Sequence, residues 1–230
     1  MFLRIGEACA KHIDEQVRGM GASLSDKRVL DFGCGCGRIL RWLTSSYPTT
    51  RFHGTDVDGE AIEWCIRNLQ GPAFIKSAPE PPLPFESAYF DVVYCFSVFT
   101  HLDEFMQDIW LAEIKRIVKP GGIVMLTVHG QKAAEALDRM GSEELRRTGF
   151  LHRRSHKLSG LVPEWYNTSW HSEGYIVGRL GALFTDIHYT AVPDGNQDLV
   201  VGRLPRLSAY RVRSLARQSI AISDVVLEPV

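Results

Sequence analysis

The sequence predicts an α/β fold: a seven-stranded, mostly parallel sheet with helices on both faces and an antiparallel hairpin at its C-terminal end. Three observations predict it. From about residue 27 to residue 128, short β runs alternate strictly with helical patterns, as in the strand–helix–strand units of a parallel sheet. The segment 90–96 is a near-continuous apolar run, expected of a strand covered on both faces. Late in the chain, runs 184–192 and 199–204 are joined only by Pro193-Asp194-Gly195-Asn196, and so short a connection permits only antiparallel pairing.

The elements follow in order. Residues 3–20 read as a helix with Ile5, Ala8, His12 and Val17 along one face, broken by the segment Gly19 to Ser25. Lys27 to Phe32 is the first strand, and a helix over Arg38 to Thr44 opens from the glycine cluster behind it. Phe52 to Asp56 is the second strand. Asp58 is placed to cap the next helix, whose Ile62, Cys65 and Leu69 share a face. Ala73 to Ser77 is a third strand, and the Pro-rich loop 79–84 admits neither helix nor central strand. The fourth strand is the run 90–96. Leu102, Phe105, Ile109 and Ala112 mark a helix that Lys119-Pro120-Gly121-Gly122 stops, and Ile123 to Val128 is the fifth strand.

Between the fifth strand and the hairpin lies an insertion at about 130–183, longer than a simple crossover needs and rich in aromatic residues and histidine. At the carboxyl edge of a parallel sheet such a segment can serve as a substrate lid, or it can be a small subdomain whose aromatics pack on one another. The chain thus reads as one domain over 1–205 and an Arg-bearing extension over 206–230.

Composition narrows the function classes. The chain has 230 residues, 45% hydrophobic and 23% charged, which suits one folded domain and excludes a disordered or fibrous chain. Its net charge of −1 lacks the basic excess that gripping nucleic acid calls for. Arg203, Arg206, Arg211, Arg213 and Arg217 form a local cluster, read as a solvated helix face or a contact for an acidic partner. Five cysteines without paired spacing argue against a disulfide framework and for reduced thiols in the cytoplasm. The N-terminus lacks the apolar core of a secretion signal, and no stretch is long enough for a membrane span.

The strongest motif is Val29-Leu30-Asp31-Phe32-Gly33-Cys34-Gly35-Cys36-Gly37-Arg38, between a strand and a helix. Glycines let the turn tighten and a ligand approach the backbone, and a helix N-terminus offers N–H groups to an anion. A nicotinamide fingerprint would need glycine where Arg38 stands. Asp31 would repel a pyrophosphate but attract an ammonium. The loop therefore prefers the amino acid end of S-adenosylmethionine. Asp56, ending the second strand, is placed to accept both ribose hydroxyls, with Val57 against the adenine.

With Gly54-Thr55-Asp56-Val57-Asp58, Leu83-Pro84-Phe85, Phe90-Asp91-Val92-Val93 and Lys119-Pro120-Gly121-Gly122, this loop resembles the class I S-adenosylmethionine-dependent methyltransferases, in order and spacing, over about residues 26–130. The resemblance implies a Rossmann-like fold and a cofactor site formed by Asp31, Gly33, Cys34, Gly35, Gly37, Arg38, Asp56, Val57, Ser77, Ala78, Phe96 and Ser97. The terminal hairpin is similar to that family's antiparallel sixth and seventh strands. Ser77 departs from the acid often found there to hold the adenine amino group. The segments 95–102, Trp165-Tyr166 and 196–201 resemble a bacterial subgroup that methylates small molecules, such as natural products.

Methyl transfer from a sulfonium needs positioning, and a general base only if the nucleophile must lose a proton. Candidates for a base or substrate contact are His101, His129 and His171, with Glu164 behind them. Trp165, Tyr166 and Trp170 are candidates for the wall of an acceptor pocket, or for the core of the insertion. Cys34 and Cys36 have no matching cluster to complete a zinc site, so no metal is expected. The leading reading is methyl transfer from S-adenosylmethionine, with S-adenosylhomocysteine as product, to a small molecule. A non-catalytic cofactor-binding module and a nicotinamide oxidoreductase are the competing readings, and a homo-oligomer formed through the extension is a further expectation.

Overall fold

The structure is a computed structural model describing residues 2–153, 167–192 and 196–206. In chain order its strands are β1 (Arg28–Phe32), β2 (Arg51–Asp56), β3 (Ala73–Lys76), β4 (Phe90–Cys95), β5 (Val118–Val128), β6 (Phe150–Arg153), β7 (Thr168–His171), β8 (Thr185–Thr190) and β9 (Asp198–Arg203). Seven of them form one sheet in the order β3-β2-β1-β4-β5-β9-β8, while β6 and β7 form a separate antiparallel ribbon. The first five strands pair in parallel, and β9 runs antiparallel to both β5 and β8. The expected sheet and hairpin are both present. The ribbon is additional.

The helices are α1 (Phe2–Gly19), α2 (Leu40–Ser46), α3 (Gly59–Asn68), α4 (Glu104–Ile117), α5 (Gln131–Ala134), α6 (Arg139–Thr148) and α7 (Glu173–Gly181). Strand alternation divides the core into two layers. Leu30 and Phe32 of β1 join Trp110, Leu111 and Ile114 of α4 and Ile176 and Leu180 of α7. Val29 joins Ala10, Ile13 and Val17 of α1, Leu40 and Leu43 of α2, and Ile62 of α3. By the same alternation Asp31 points into the second layer, so this carboxyl stands among apolar neighbours.

Several sequence expectations shift. The buried face of α1 runs through Gly6, Ala10, Ile13 and Val17, and Ile5 and Ala8 are exposed. Gly6 leaves room for the backbone of Arg38, where any side chain would collide with its carbonyl oxygen. The helix after the glycine loop begins at Leu40, because residues 35–39 form turns first. In α4 the inward face is Gln107, Trp110, Leu111, Ile114 and Ile117, while Phe105 and Ala112 are exposed. Two polar residues, Gln107 and Glu113, break the apolar periodicity of that face, so hydropathy alone points to the wrong stripe. Helix α4 stops at Ile117, but the segment 118–122 continues as the start of β5, through a register shift opposite Phe90–Val92. Asp58 caps α3 as expected, accepting the amides of Glu60 and Ala61.

Candidate active site at the carboxyl ends of the strands

The turn after β1 is tied to the end of β2. The amides of Gly33 and Cys34 both donate to the Thr55 carbonyl, at 2.8 and 3.0 Å. Asp56 then holds two segments at once: Oδ2 accepts the Gly35 amide at 2.7 Å and Oδ1 accepts the Asp58 amide at 2.9 Å. A carboxylate has about four acceptor sites, so each oxygen keeps capacity for a ligand hydroxyl.

Two glycines carry the geometry of the turn. Gly35 has φ +50°, and a Cβ there would meet nothing within 4 Å, so its backbone faces open space that a ligand can enter. Gly33 has φ +80°, and its Cβ would fall onto Cγ2 of Val98. Replacing Gly33 by Ala therefore adds backbone strain to a clash. Urea unfolding is expected to show a loss of about 2 kcal/mol, and a variant as stable as the parent would refute this account of the turn.

Asp31 lies 2% exposed beneath this turn. Burial pushes its carboxyl up to about 8; Tyr94 and Arg38 pull against that, and Asp56 adds to it. Tyr94 is the register partner of Asp31 across β1 and β4, and is fully buried. Its hydroxyl lies against the carboxyl but closes no regular hydrogen bond. A buried acid and an unsatisfied hydroxyl are costly unless a ligand completes them. An ammonium beside Asp31 does so, and with the open face of Gly35 this fits the amino acid end of S-adenosylmethionine.

The other cofactor candidates gather here. Val57 is 37% exposed beyond Asp56, an uncovered apolar surface suited to adenine. Ser77 is buried and its amide donates to the Asp56 carbonyl at 2.9 Å, so Ser77 and Ala78 leave β3 beside Asp56. Phe96 packs edge-on to Tyr94. Ser97 has φ +62°, an uncommon conformation for a residue with a Cβ. Cys34 is buried with its thiol against the Gly35 carbonyl, and burial raises the thiol pKa, so it stays neutral. Cys65 contacts the same carbonyl, and burial pushes its thiol up to about 11.

The three candidate histidines divide. In His171, Nε2 lies 3.1 Å from Oε1 of Gln107, whose amide nitrogen donates to the carbonyls of Phe99 and Leu102. That oxygen can only accept, so Nε2 of His171 carries the proton. Its Nδ1 is buried with no partner, and burial, with His129 nearby, pushes the imidazole down to about 3. His171 is thus a neutral structural histidine, shielded by Phe150 and Tyr175.

His101 and His129 differ. Nδ1 of His101 lies 2.8 Å from the Asn167 carbonyl, and Nδ1 of His129 lies 3.1 Å from the Ser169 carbonyl. A carbonyl cannot donate, so both Nδ1 atoms carry the proton and both Nε2 atoms carry the lone pair. Burial lowers both pKa values against those bonds, and His101 lowers His129 further. The rings stand 6.3 Å apart and nearly perpendicular. One segment, 167–169, therefore sets the tautomer of both.

The next residue, Trp170, joins the insertion to the sheet through a bridge to His129. Trp170 is half-buried with its ring 6.2 Å from His129, whereas Phe150 stacks on Tyr175. The insertion thus contains both a packed aromatic group and an aromatic beside the candidate bases. Trp165, Tyr166 and Glu164 lie outside the described residues, as does 207–230. Sequence reading missed Tyr94 and Thr127 because each looks like ordinary strand filling; the alternation of Thr127 with His129 was a signal for one, and only the β1–β4 register, which sets Tyr94 beside Asp31, reveals the other. Gln107 and Gln197 gave none that periodicity could detect.

The sheet is open and mostly parallel, with Asp56 ending β2 and Asp31 buried within β1 beneath the glycine turn. Residues 30–126 match the family model described as a methyltransferase domain. Over that stretch the chain is similar to methyltransferase domains. Over 112 residues it is 35% identical to phthiotriol/phenolphthiotriol dimycocerosates methyltransferase 1 of Mycobacterium ulcerans, covering 45% of this chain and 38% of that protein. Over 108 residues it is 31% identical to fatty-acid O-methyltransferase of Mycolicibacterium smegmatis, covering 46% and 38%. The chain therefore matches well under half the length of these curated relatives. In fold it is similar to magnesium protoporphyrin IX methyltransferase of Synechocystis PCC 6803 with bound SAH, at a TM-score of 0.59 and 16% identity, covering 88% of this chain and 85% of that one. No helix among the described residues is long and apolar enough to cross a membrane.

Proposed function

We propose that the chain transfers the methyl group of S-adenosylmethionine to an oxygen of a small-molecule acceptor. The observation that carries the cofactor half is Asp56, which binds Gly35 and Asp58 with one oxygen each and retains acceptor capacity beside the buried Asp31. When bound, the cofactor supplies an electrophilic methyl on a good leaving group. The chain supplies the rest. Asp31 holds the ammonium, Asp56 holds the ribose, and Val57, Ser77, Ala78, Phe96 and Ser97 line the remaining cofactor surface. Gly33, Cys34, Gly35, Gly37 and Arg38 form the turn over it.

His101 and His129 are neutral, with oriented Nε2 lone pairs, which suits accepting a hydroxyl proton. That supports an oxygen acceptor, and the name of the fatty-acid O-methyltransferase relative points the same way. Trp170, with Trp165 and Tyr166, is assigned to the acceptor wall, and the insertion at about 130–183 to a lid. The net charge of −1 favours a small molecule over nucleic acid, and the unpaired cysteines favour the cytoplasm. Contact between copies through 206–230 is a further part of this reading.

The test is methyl transfer from labelled S-adenosylmethionine to a panel of fatty acids and phenols. Turnover is expected, with an acid limb below the ordinary histidine pKa of about 6.5, since activity needs a neutral imidazole and is lost as protonation sets in. His129→Gln and His101→Asn are each expected to lower kcat by roughly 100-fold where the acceptor is a phenol. Unchanged turnover in both would leave proximity alone to carry the reaction. Cofactor binding without transfer to any acceptor would favour a binding module, and NADH binding in its place would favour an oxidoreductase.

A further inference from the structure

Thr127 and Gln197, to which no role has been given above, meet Ser97 at the mouth of the sheet. Oε1 of Gln197 accepts hydrogen bonds from Thr127 Oγ1 at 2.7 Å and from Ser97 Oγ at 3.0 Å. Thr127 Oγ1 itself accepts the Ser97 amide at 2.8 Å. Both hydroxyl protons are thus committed to one carboxamide oxygen. The carboxamide is turned with its oxygen on the two hydroxyls, and its NH2 end is left over.

Among the described residues, Nε2 of Gln197 has no hydrogen-bond partner, and the residue is only half-buried. Two donors are therefore held in place without being used. The β5–β9 register ends at Val128 opposite Asp198, which puts Gln197 one step further, level with His129. Behind it, Asp198 is buried and accepts the Tyr189 hydroxyl and the Val192 amide, so the base of the side chain is anchored. Ser97 takes part from a left-handed backbone conformation at φ +62°. Strain of this kind in a non-glycine residue persists only where surrounding contacts enforce it, and it clusters at functional sites.

We propose that Gln197 is the acceptor-recognition residue of this site: its oriented NH2 group grips an oxygen adjacent to the one that is methylated. The preferred acceptor then carries two neighbouring oxygens, as in a carboxylate or an ortho-dioxygenated ring. One lies within reach of the candidate bases, and the other accepts from Gln197. A primary amine in the second position is disfavoured, because it meets donors with donors. Ser97 and Thr127 are positioning residues that act through the carboxamide.

This inference rests on the methyltransferase reading, and the experiment separates the two. S-adenosylhomocysteine binding is measured first by calorimetry, in the parent, Gln197→Glu and Gln197→Met. The loaded proteins are then titrated with catechol and decanoate, and with their nitrogen counterparts 1,2-phenylenediamine and decylamine. Glutamate keeps an oxygen for Ser97 and Thr127 but loses both donors. The expected result is equal S-adenosylhomocysteine affinity within about twofold, with binding of at least one oxygen probe weakened roughly tenfold or more in both variants. The matching amine should gain in Gln197→Glu.

No S-adenosylhomocysteine binding by the parent would refute the reading beneath. Parent-like oxygen-probe binding by the variants, or no binding of either oxygen probe by the loaded parent, would overturn the role of Gln197 alone. A parallel loss of S-adenosylhomocysteine would assign Gln197 to the cofactor instead and overturn it as well. Gln197→Met keeps the test decisive if a second carboxylate near Asp198 prevents Gln197→Glu from folding.

Discussion

Asp56→Ala is expected to weaken S-adenosylhomocysteine binding by at least roughly 100-fold, because one carboxylate does two jobs. It is the proposed ribose anchor, and it already fixes the site in the absence of ligand by accepting the amides of Gly35 and Asp58. Alanine leaves both amides without an acceptor, so the glycine turn loses its shape at the same time as the ligand loses its partner. Asp56→Asn separates the effects. Its single amide oxygen can serve one of the two amides, and an intermediate loss of about tenfold is expected. Calorimetry on folded variants decides the matter, with circular dichroism to confirm the fold. Binding within threefold of the parent in Asp56→Ala would remove this residue from the cofactor site.

The second large effect concerns Asp31. Its carboxyl is raised by burial to about 8, so near neutral pH the ligand-free protein holds a proton that the unfolded chain, with an ordinary value of about 3.9, has given up. The native state binds more protons than the unfolded state between roughly pH 4 and pH 8, and stability therefore falls as pH rises through that window. Asp31→Asn removes this dependence. It is expected to raise the stability of the ligand-free protein above pH 8 by an amount on the order of a few kcal/mol. It is also expected to weaken cofactor binding about 100-fold, since the ammonium loses its counter-charge.

The same linkage sets the pH dependence of binding in the parent. An ammonium beside Asp31 favours the ionised carboxyl, so binding below pH 8 releases a proton. Affinity then rises with pH by at most about tenfold per unit until Asp31 is already ionised in the free protein. Arg38 and the Tyr94 hydroxyl, which favour the charged form, and Asp56, which opposes it, set where the rise ends. Calorimetry in two buffers of different ionisation enthalpy counts the proton directly. A proton count of zero at pH 6.5, or an Asp31→Asn variant that binds like the parent, would show that Asp31 does not meet the ammonium. A variant that loses binding without gaining stability at high pH would show that the carboxyl is already ionised in the free protein.

Much of this molecule was legible in one dimension. The strict alternation of strand and helix patterns determined a parallel sheet, and the four-residue connection at 193–196 determined its antiparallel close, because chain length and periodicity are local properties. The glycine turn and the Asp58 cap could be read for the same reason, and Asp31 and Asp56 could be singled out as candidates: each depends on residues within a few positions of a strand end. Other features were decided by tertiary structure alone. Hydropathy placed the inward stripe of α4 on Phe105, and packing placed it on Gln107 and Glu113, whose polar groups have partners as distant in the chain as His171 and Leu83.

The histidines make the same point more sharply. His101, His129 and His171 were equivalent candidates in the sequence. They are separated by which atom each ring nitrogen faces: a carbonyl that forces a lone pair onto Nε2, or a buried glutamine oxygen that uses up the Nε2 proton. Likewise Gln197 meets Ser97 and Thr127, 100 and 70 positions away in the chain, only in the folded molecule, where two hydroxyls come to one carboxamide oxygen. Hydrogen-bond direction is set by the partner and not by the residue, and the partners are brought together only by the completed sheet.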